Sequence, residues 1–187
     1  LQRVGDGSII TRFDKTPLPE KETDVVCPHF LELKWATGCK ASCAYCYLQR
    51  TLRRLPYKKA PRIKDYWKIE KHIRSFRRYR RRQELLNSGE ITDALLAEDL
   101  SQPYCRHLPL PFSIFLANLF EGENLHKVLF LTKDTLIQNL LEIEDKDFLI
   151  VSFSLNAQEV AKRWEKGMPL PYQRVEAARQ LFDAGYE

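Results

Sequence analysis

The sequence predicts an α/β fold in which about four parallel strands are covered by outer helices. Strand-like and helix-like segments alternate along the 187 residues, and this alternation is typical of a parallel sheet with helices on its faces. Hydrophobic residues make up 44% of the chain, which is enough apolar material for one core. Four strands are too few to close a barrel of the usual size. We therefore expect a partial (β/α) barrel, with the chain ending before the barrel would be complete.

Four segments have the patterns of strands. Residues 30–36 alternate apolar and polar side chains, as a half-buried strand does. Segments 127–133 and 148–154 are rich in β-branched and aromatic residues, which predicts buried strands. A shorter strand is predicted over residues 84–87.

Helical spacing of apolar residues predicts the connecting elements. The expected helices cover residues 65–83, 112–120, 135–144, 157–166 and 173–184. The first of them is expected to face inward through Trp67, Ile69, Ile73 and Phe76. Residues 1–29 are interpreted as an irregular or partly extended N-terminal lead-in, and residues 30–187 as the α/β domain.

The cysteines indicate a reducing compartment. The chain has five, and three of them lie within eight residues, which is unlike a disulfide framework. In a chain without a visible secretory signal, such spacing favours metal ligands inside the cell, so we expect a cytoplasmic protein. No apolar run approaches the roughly 20 residues of a membrane helix, which excludes the membrane-spanning class.

Positive charge is concentrated in one segment, residues 50–82. It contains 15 Lys and Arg against 2 Asp and Glu, whereas the whole chain has a net charge of +5. Such a run attracts phosphate polymers, so a nucleic acid is a possible partner. A solvated helix face explains the composition equally well. The aromatic residues that could stack on bases are Tyr57, Tyr66, Trp67, Phe76 and Tyr79.

Cys39, Cys43 and Cys46 have the spacing C-x3-C-x2-C. Three thiolates on one tight loop can bind three irons of a cubic [4Fe–4S] cluster and leave the fourth iron open. Zinc is the alternative, but a closed zinc site needs four ligands. The fourth would have to come from Cys27, His29 or Cys105 through long-range folding.

Polar residues also follow the other predicted strands. Gly89 and Glu90, then Lys133, then the segment 154–156 each lie where a strand ends. Reactive groups gather at the carboxyl ends of parallel strands. The sequence therefore predicts that these residues share one site with the cysteines.

The cysteine motif after a first strand resembles the signature of the radical S-adenosylmethionine (radical SAM) superfamily. Within it, the chain from about Val25 onward is similar to the spore photoproduct lyase family. The blocks that carry this resemblance are residues 26–30, 46–49, 130–133, 152–156 and 175–186.

The resemblance implies a fold, two cofactors and a reaction. The fold is a partial barrel of the radical SAM type, and the cofactors are a [4Fe–4S] cluster and S-adenosylmethionine. The reaction is reductive cleavage to a 5′-deoxyadenosyl radical, which abstracts hydrogen from a substrate. A reductant protein such as a flavodoxin or ferredoxin is the implied electron donor.

The resemblance also assigns roles to individual residues. The implied cluster ligands are Cys39, Cys43 and Cys46; the implied cofactor-binding residues are Tyr45, Glu90, Thr92, Lys133, Ser154 and Asn156; and the implied catalytic residues are Tyr47 and Glu90.

One position departs from the family pattern. The hydrogen-donating cysteine of the family falls at Glu90, and no cysteine lies between Cys46 and Cys105. A carboxylate does not donate a hydrogen atom as a thiol does. The expectation is therefore a lyase-like enzyme with the same activation chemistry, with repair of DNA lesions left open. The alternative is a zinc-bearing nucleic-acid-binding module without catalysis.

Overall fold

A six-stranded sheet lies at the centre of the structure, a computed structural model that describes residues 1–13, 29–54, 56 and 59–186. The strands are β1 Arg3–Val4, β2 Ile10–Arg12, β3 Leu31–Leu33, β4 Ala36–Thr37, β5 Ser42–Cys43, β6 Arg62–Ile63, β7 Leu85–Asn87, β8 Lys127–Thr132, β9 Leu149–Phe153 and β10 Glu165–Lys166. The helices are α1 Tyr47–Thr51, α2 Tyr66–Phe76, α3 Phe112–Phe120, α4 Gln138–Leu141, α5 Gln158–Trp164 and α6 Pro171–Asp183, with a 3-10 turn at Pro103–Cys105.

The main sheet has the order β1-β2-β3-β7-β8-β9. Strands β3, β7, β8 and β9 are parallel, with Leu86 opposite Leu31 on one side and Val128 on the other. The predicted α/β class with four parallel strands is thus confirmed. Two small pairs, β4 with β6 and β5 with β10, lie outside this sheet.

The described part of the N-terminal lead-in is not irregular. Strands β1 and β2 form an antiparallel pair, and β2 pairs with β3. Of the two predicted forms, residues 1–13 therefore have the partly extended one, and their strands are too short to show a period. Residues 14–28 lie outside the described part of the chain.

Several predicted helices are shorter in the structure. Helix α2 ends at Phe76 rather than at residue 83, and Trp67 is 66% exposed. Its inward-facing residues are Tyr66, Ile69 and Ile73 together with Phe76, and Trp67 lies one position off this stripe. The predicted helix 135–144 is reduced to the four residues of α4. Helix α3 has the predicted bounds.

The core lies between the parallel strands and helices α2 and α3. Trp35 stacks on Phe112 with ring centres 3.7 Å apart, and Phe112 also packs against Phe130 of β8. The buried indole of Trp35 donates to the carbonyl of Ser88 at 2.9 Å, so its polar atom is satisfied. Within the described residues, no helix combines the length and apolar character needed to cross a membrane.

Arginines and glutamates close the amino end of the parallel strands. Just before β7, Glu84 accepts hydrogen bonds from Arg12 at 2.9 Å and from Arg82 at 3.1 Å. Glu123, in the turn before β8, accepts from Arg77 at 3.1 Å and also from Arg80. The second half of the basic segment therefore binds to the protein itself and ties the end of α2 to the sheet.

Candidate cofactor-binding site

The loop between β4 and α1 carries the three clustered cysteines. Gly38 begins it with a φ of +85°, and a Cβ there would lie 2.5 Å from the carbonyl oxygens of Lys59 and Ala60. Only glycine adopts this left-handed backbone without strain and leaves room for the two carbonyl oxygens. The N–H of Cys39 donates to the Lys59 carbonyl at 3.0 Å. The first cysteine is therefore fixed directly after the strand.

A short strand pairing attaches this loop to a distant part of the chain. Strand β5 pairs with β10, which places Cys43 opposite Glu165. The N–H of Ala44 donates to the Trp164 carbonyl at 2.8 Å. The predicted helix 157–166 ends at Trp164 because the next two residues form this pairing instead. The middle cysteine is thereby held by residues more than a hundred positions away.

A buried ion pair lies behind the cysteine loop. Arg174 of α6 donates to Glu165 at 2.6 Å, and their side chains are 0% and 1% exposed. Arg174 also donates to the carbonyl oxygens of Pro169 at 2.9 Å and Ser154 at 2.8 Å. The guanidinium therefore links the end of β9 to the strand that holds the cysteine loop.

Glu165 in turn positions two of the predicted cofactor-binding residues. The Tyr45 hydroxyl donates to Glu165 Oε1. Asn156 Nδ2 donates to the same oxygen at 2.7 Å and to the Tyr45 hydroxyl at 3.2 Å. Burial opposes ionisation of Glu165, but these bonds and Arg174 lower its pKa. The sequence did not single out Glu165 or Arg174, since partners nine residues apart leave no local pattern.

One cavity, of about 210 Å³, brings the predicted residues together at the carboxyl ends of the strands. Its lining includes the cysteines Cys39, Cys43 and Cys46, the tyrosines Tyr45 and Tyr47, and the polar residues Glu90, Thr92, Lys133 and Ser154. All predicted site residues belong to the described part of the chain, and Asn156 alone among them does not line the cavity. It contacts the lining through Tyr45.

Glu90 and Tyr47 meet beyond the end of β7. The Tyr47 hydroxyl donates to the backbone carbonyl of Glu90 at 2.5 Å, and Asn87 donates to the Glu90 carboxylate at 3.0 Å. Burial, reinforced by repulsion from Glu32, raises the pKa of Glu90. Burial and the same carboxylates raise the pKa of Tyr47 to about 12. The site therefore contains a carboxylate with little compensating positive charge, which is suited to a cationic ligand.

Thr92 has an unsatisfied polar atom in the cavity wall. Its hydroxyl oxygen is buried and has no hydrogen-bond partner among the described residues. An unpaired buried hydroxyl costs free energy, and a polar ligand in the cavity would satisfy it. Close by, a Cβ on Gly89 would lie 2.4 Å from the Leu131 carbonyl oxygen, so strands β7 and β8 approach closely at this end.

Asp93 is a site residue that no sequence motif indicated. Its carboxylate accepts hydrogen bonds from the Thr132 hydroxyl at 2.7 Å and from the N–H groups of Lys133 at 2.9 Å and Leu95 at 3.0 Å. Complete burial raises its pKa despite these bonds. It fixes the backbone of Lys133, whose ammonium lies 6.0 Å from the centre of the Tyr45 ring. In the sequence, the feature that could have indicated Asp93 as a site residue is its position shortly after the end of β7.

The donor set fits an iron–sulfur cluster. The described residues contain no group of three or more His, Cys, Asp or Glu placed to bind a single metal ion. A cubic cluster does not need such a group, because each cysteine binds a different iron. Three free thiols line the same cavity as the unpartnered Thr92 hydroxyl. Cys105 is fully buried in the core and does not line the cavity, and Cys27 lies outside the described residues.

The aromatic residues of the basic segment do not form one stacking surface. Tyr66 and Phe76 are buried in the core, so the prediction that they could stack on bases is wrong. Trp67 is exposed and Tyr79 is half-buried. Tyr57 lies outside the described residues.

A parallel α/β sheet with three thiols and polar strand ends around one cavity defines a cofactor-binding domain. The family model for spore photoproduct lyase matches residues 29–187, and the chain belongs to this family. Spore photoproduct lyase of Bacillus subtilis (strain 168) is 30% identical over 156 residues, which are 82% of this chain and 42% of the relative. That of Geobacillus sp. (strain Y412MC61) is 28% identical over 81% of this chain and 42% of the relative. The chain thus spans less than half the length of these relatives.

Solved structures share the fold. A spore photoproduct lyase complexed with dinucleoside spore photoproduct matches with a TM-score of 0.68 and 23% identity, over 83% of this chain and 43% of that one. A variant with bound AdoMet and dinucleoside spore photoproduct matches with a TM-score of 0.67 and 22% identity, over 89% and 45%.

Proposed function

We propose that the chain is the cofactor-binding part of a radical SAM enzyme. Cys39, Cys43 and Cys46 would bind a [4Fe–4S] cluster, and the cavity beside them would bind S-adenosylmethionine. The observation that carries this proposal is that the thiols and the polar strand ends line one cavity. Family membership and the AdoMet bound in a structural neighbour support it. The sheet of residues 30–187 would then belong to a partial (β/α) barrel of the radical SAM type.

The bound cofactors would supply the difficult chemistry: one electron from the cluster would cleave S-adenosylmethionine to methionine and a 5′-deoxyadenosyl radical. The chain supplies binding and orientation. The Glu90 carboxylate is suited to accept hydrogen bonds from the methionyl ammonium, and Lys133 to pair with the methionyl carboxylate. Thr92, Ser154 and Asn156 offer further polar groups, and Tyr45 offers a ring for the adenine.

Tyr47 is the proposed hydrogen-atom relay of the site. It lines the cavity between the cysteines and Glu90. The phenol is protonated at neutral pH, since the ordinary pKa of tyrosine, about 10, already lies well above 7. A protonated phenol is the form that can give up a hydrogen atom.

The substrate step is proposed to differ from thiol-dependent repair. Among the described residues, the cysteines that line the cavity are the three proposed cluster ligands. Glu90, at the position of the family's hydrogen-donating cysteine, does not replace a thiol in hydrogen-atom donation. A nucleic acid remains the proposed substrate class, since a structural neighbour is complexed with dinucleoside spore photoproduct. We expect slow or no repair of that lesion, and efficient repair by this chain would contradict the proposal.

The four cysteines of the described residues are free thiols. This supports a reducing compartment, and we propose the cytoplasm. A protein reductant of the flavodoxin or ferredoxin class would supply the electron.

Anaerobic reconstitution tests the proposed function. The chain is loaded with iron and sulfide, reduced with dithionite and assayed for 5′-deoxyadenosine formed from S-adenosylmethionine. We expect product from the wild type and none from Cys43→Ala. Cys105→Ala is the matched control, because this buried thiol lies outside the cavity and its loss should leave product formation intact. Zinc in place of iron, with no product, would instead support a non-catalytic nucleic-acid-binding module.

A further inference from the structure

In the first half of the basic segment, Lys59 and Lys64 donate to backbone carbonyl oxygens and Arg62 also has a partner, but the three arginines next to α1 lack the buried glutamate partners found in the second half. Residues 50–64 contain seven Lys and Arg and no Asp or Glu. Arg50, Arg53 and Arg54 are exposed, and none of them forms an ion pair or hydrogen bond with the described residues. In the second half, Arg77, Arg80 and Arg82 are engaged by buried glutamates. The free positive charge therefore lies next to α1, directly after the cysteine loop.

This charge borders a groove on the outer side of the cysteine loop. The groove is lined by Cys39, Lys40, Ser42, Gln49, Arg53 and Lys59, among others. Lys40 is paired with Asp134, and Lys59 donates to the Ala41 carbonyl. Arg53 is the unpaired cation of this lining within the described residues. The groove is thus a built, positively charged surface whose floor is the loop that carries the thiols.

Cys39 forms part of the wall between this groove and the cofactor cavity. Among the residues that line the two, only Cys39 and Ala41 are shared. A protein in the groove would therefore approach one proposed cluster ligand from outside without entering the cavity. Electron transfer needs only such an approach, since the rate depends steeply on the separation of the redox centres. A nucleic acid substrate would instead have to place its reacting atom inside the cavity, at the strand ends.

We propose that this groove is the docking surface of an acidic one-electron donor protein. The inference rests on the proposed function, because it assigns an electron entry point to the proposed cluster. Exposed arginines and an acidic partner would give a small, transient and salt-sensitive encounter, as is usual for electron-transfer pairs. The donor would be oxidised by one electron and the proposed cluster, approached from the side of Cys39, would be reduced by one; no bond would form between the two proteins.

Charge reversal with two reductants tests the proposal on the reconstituted chain. The variant is Arg50→Glu combined with Arg53→Glu. The matched control is Arg78→Glu combined with Arg81→Glu, which changes the net charge equally at exposed arginines that follow the C-terminal end of α2. With reduced flavodoxin, we expect the groove variant to form 5′-deoxyadenosine about tenfold more slowly or worse, and the control to stay near wild type. With dithionite, both variants should match wild type.

The two reductants and the control variant distinguish failure of the proposed function from failure of the proposed docking surface. Absence of product from wild type with dithionite would overturn the proposed function. An unchanged flavodoxin rate in the groove variant, or an equal loss in the control, would overturn the docking surface. Binding of flavodoxin to each variant, followed by fluorescence anisotropy, gives a readout that does not depend on activity. Loss of binding to a DNA oligonucleotide with an unchanged flavodoxin rate would assign the groove to nucleic acid and contradict the proposal.

Discussion

The pKa values of buried carboxylates shift in opposite directions at the two ends of the parallel strands. At the amino end, burial is outweighed by hydrogen bonds from arginines and backbone, so the pKa of Glu84 is lowered and that of Glu123 falls to about 2. At the carboxyl end, burial prevails and raises the pKa of Glu90 and Asp93. One end is therefore satisfied internally, and the other retains polar groups that a ligand could satisfy.

This difference separates stability from function along the same strands. The amino-end glutamates have their arginine partners supplied by the chain itself, so they contribute to the folded state without a ligand. Glu90 and the Thr92 hydroxyl are under-satisfied in the protein alone, which costs free energy until something binds. The basic segment follows the same division, because the arginines paired with buried glutamates lie at the amino end, whereas Arg50, Arg53 and Arg54, which have no partner among the described residues, lie beside the cysteine loop.

The ion pair between Glu165 and Arg174 is the exception at the carboxyl end, and breaking it should have the largest effect. Glu165→Gln leaves the Arg174 guanidinium buried without a counter-charge. We expect a loss of about 3–5 kcal/mol in the free energy of unfolding, measured by urea denaturation. Glu176→Gln, which breaks an exposed pair on the same helix, is the control and should change little. A loss in Glu165→Gln no larger than in this control would show that the pair is solvated.

A comparison of Gly89, which packs beside Leu131 of β8, with Gly122, in the turn after α3, tests the close approach of the strands. Gly89→Ala places a Cβ 2.4 Å from the Leu131 carbonyl oxygen, so β7 or β8 must shift. We expect a loss of about 2–3 kcal/mol from this overpacking. In Gly122→Ala the new Cβ meets open space, so only the left-handed backbone, with a φ of +65°, is unfavourable. We expect this to lower the free energy of unfolding by about 1 kcal/mol. Thermal unfolding measures the stability of both variants. A larger loss in Gly122→Ala than in Gly89→Ala would contradict the close contact at the cavity.

Removing charge at the amino end should lower stability in a pH-dependent way. Glu123→Gln removes the carboxylate that binds Arg77 and Arg80, and we expect a loss of about 1–2 kcal/mol at neutral pH. The folded pKa of about 2 lies below the ordinary 4.5. The contribution of the carboxylate is therefore complete above 4.5 and is lost as the pH falls toward 2. Urea unfolding of both proteins across this range should show their stabilities converging; a constant difference would exclude the charge as its source.

The parts of the molecule that the sequence predicted are those with a local signal. The β-branched and aromatic content of residues 127–133 and the apolar run of residues 112–120 predicted the bounds of β8 and α3 within one residue. The rule that reactive groups follow parallel strands selected Glu90, Lys133 and Ser154, and the structure brings them to one cavity with the cysteines.

The parts that were missed depend on distant pairing. Strand β10 was assigned to a helix because its partner Cys43 lies more than a hundred residues earlier. The same separation hides the contact of Glu165 with Tyr45, which orders the site. The pairing of Arg77 and Arg80 with Glu123 was equally invisible, so the basic segment was treated as one unit rather than two.

The smallest expected effect has the opposite sign and tests the carboxyl end directly. Glu90→Gln keeps an oxygen that can accept from Asn87 but removes a carboxylate whose folded pKa is raised. A raised carboxyl carries no penalty below its ordinary pKa of 4.5, and the penalty is complete only above the folded pKa. Because Glu90 is only half-buried, solvent screens this penalty. We therefore expect the variant to gain no more than about 0.5 kcal/mol at neutral pH, and the gain to vanish on acidification below 4.5. Binding of S-adenosylmethionine should weaken in the same variant. A loss of stability like that of Glu123→Gln would show that Glu90 is already satisfied within the protein, and the contrast between the two ends would fail.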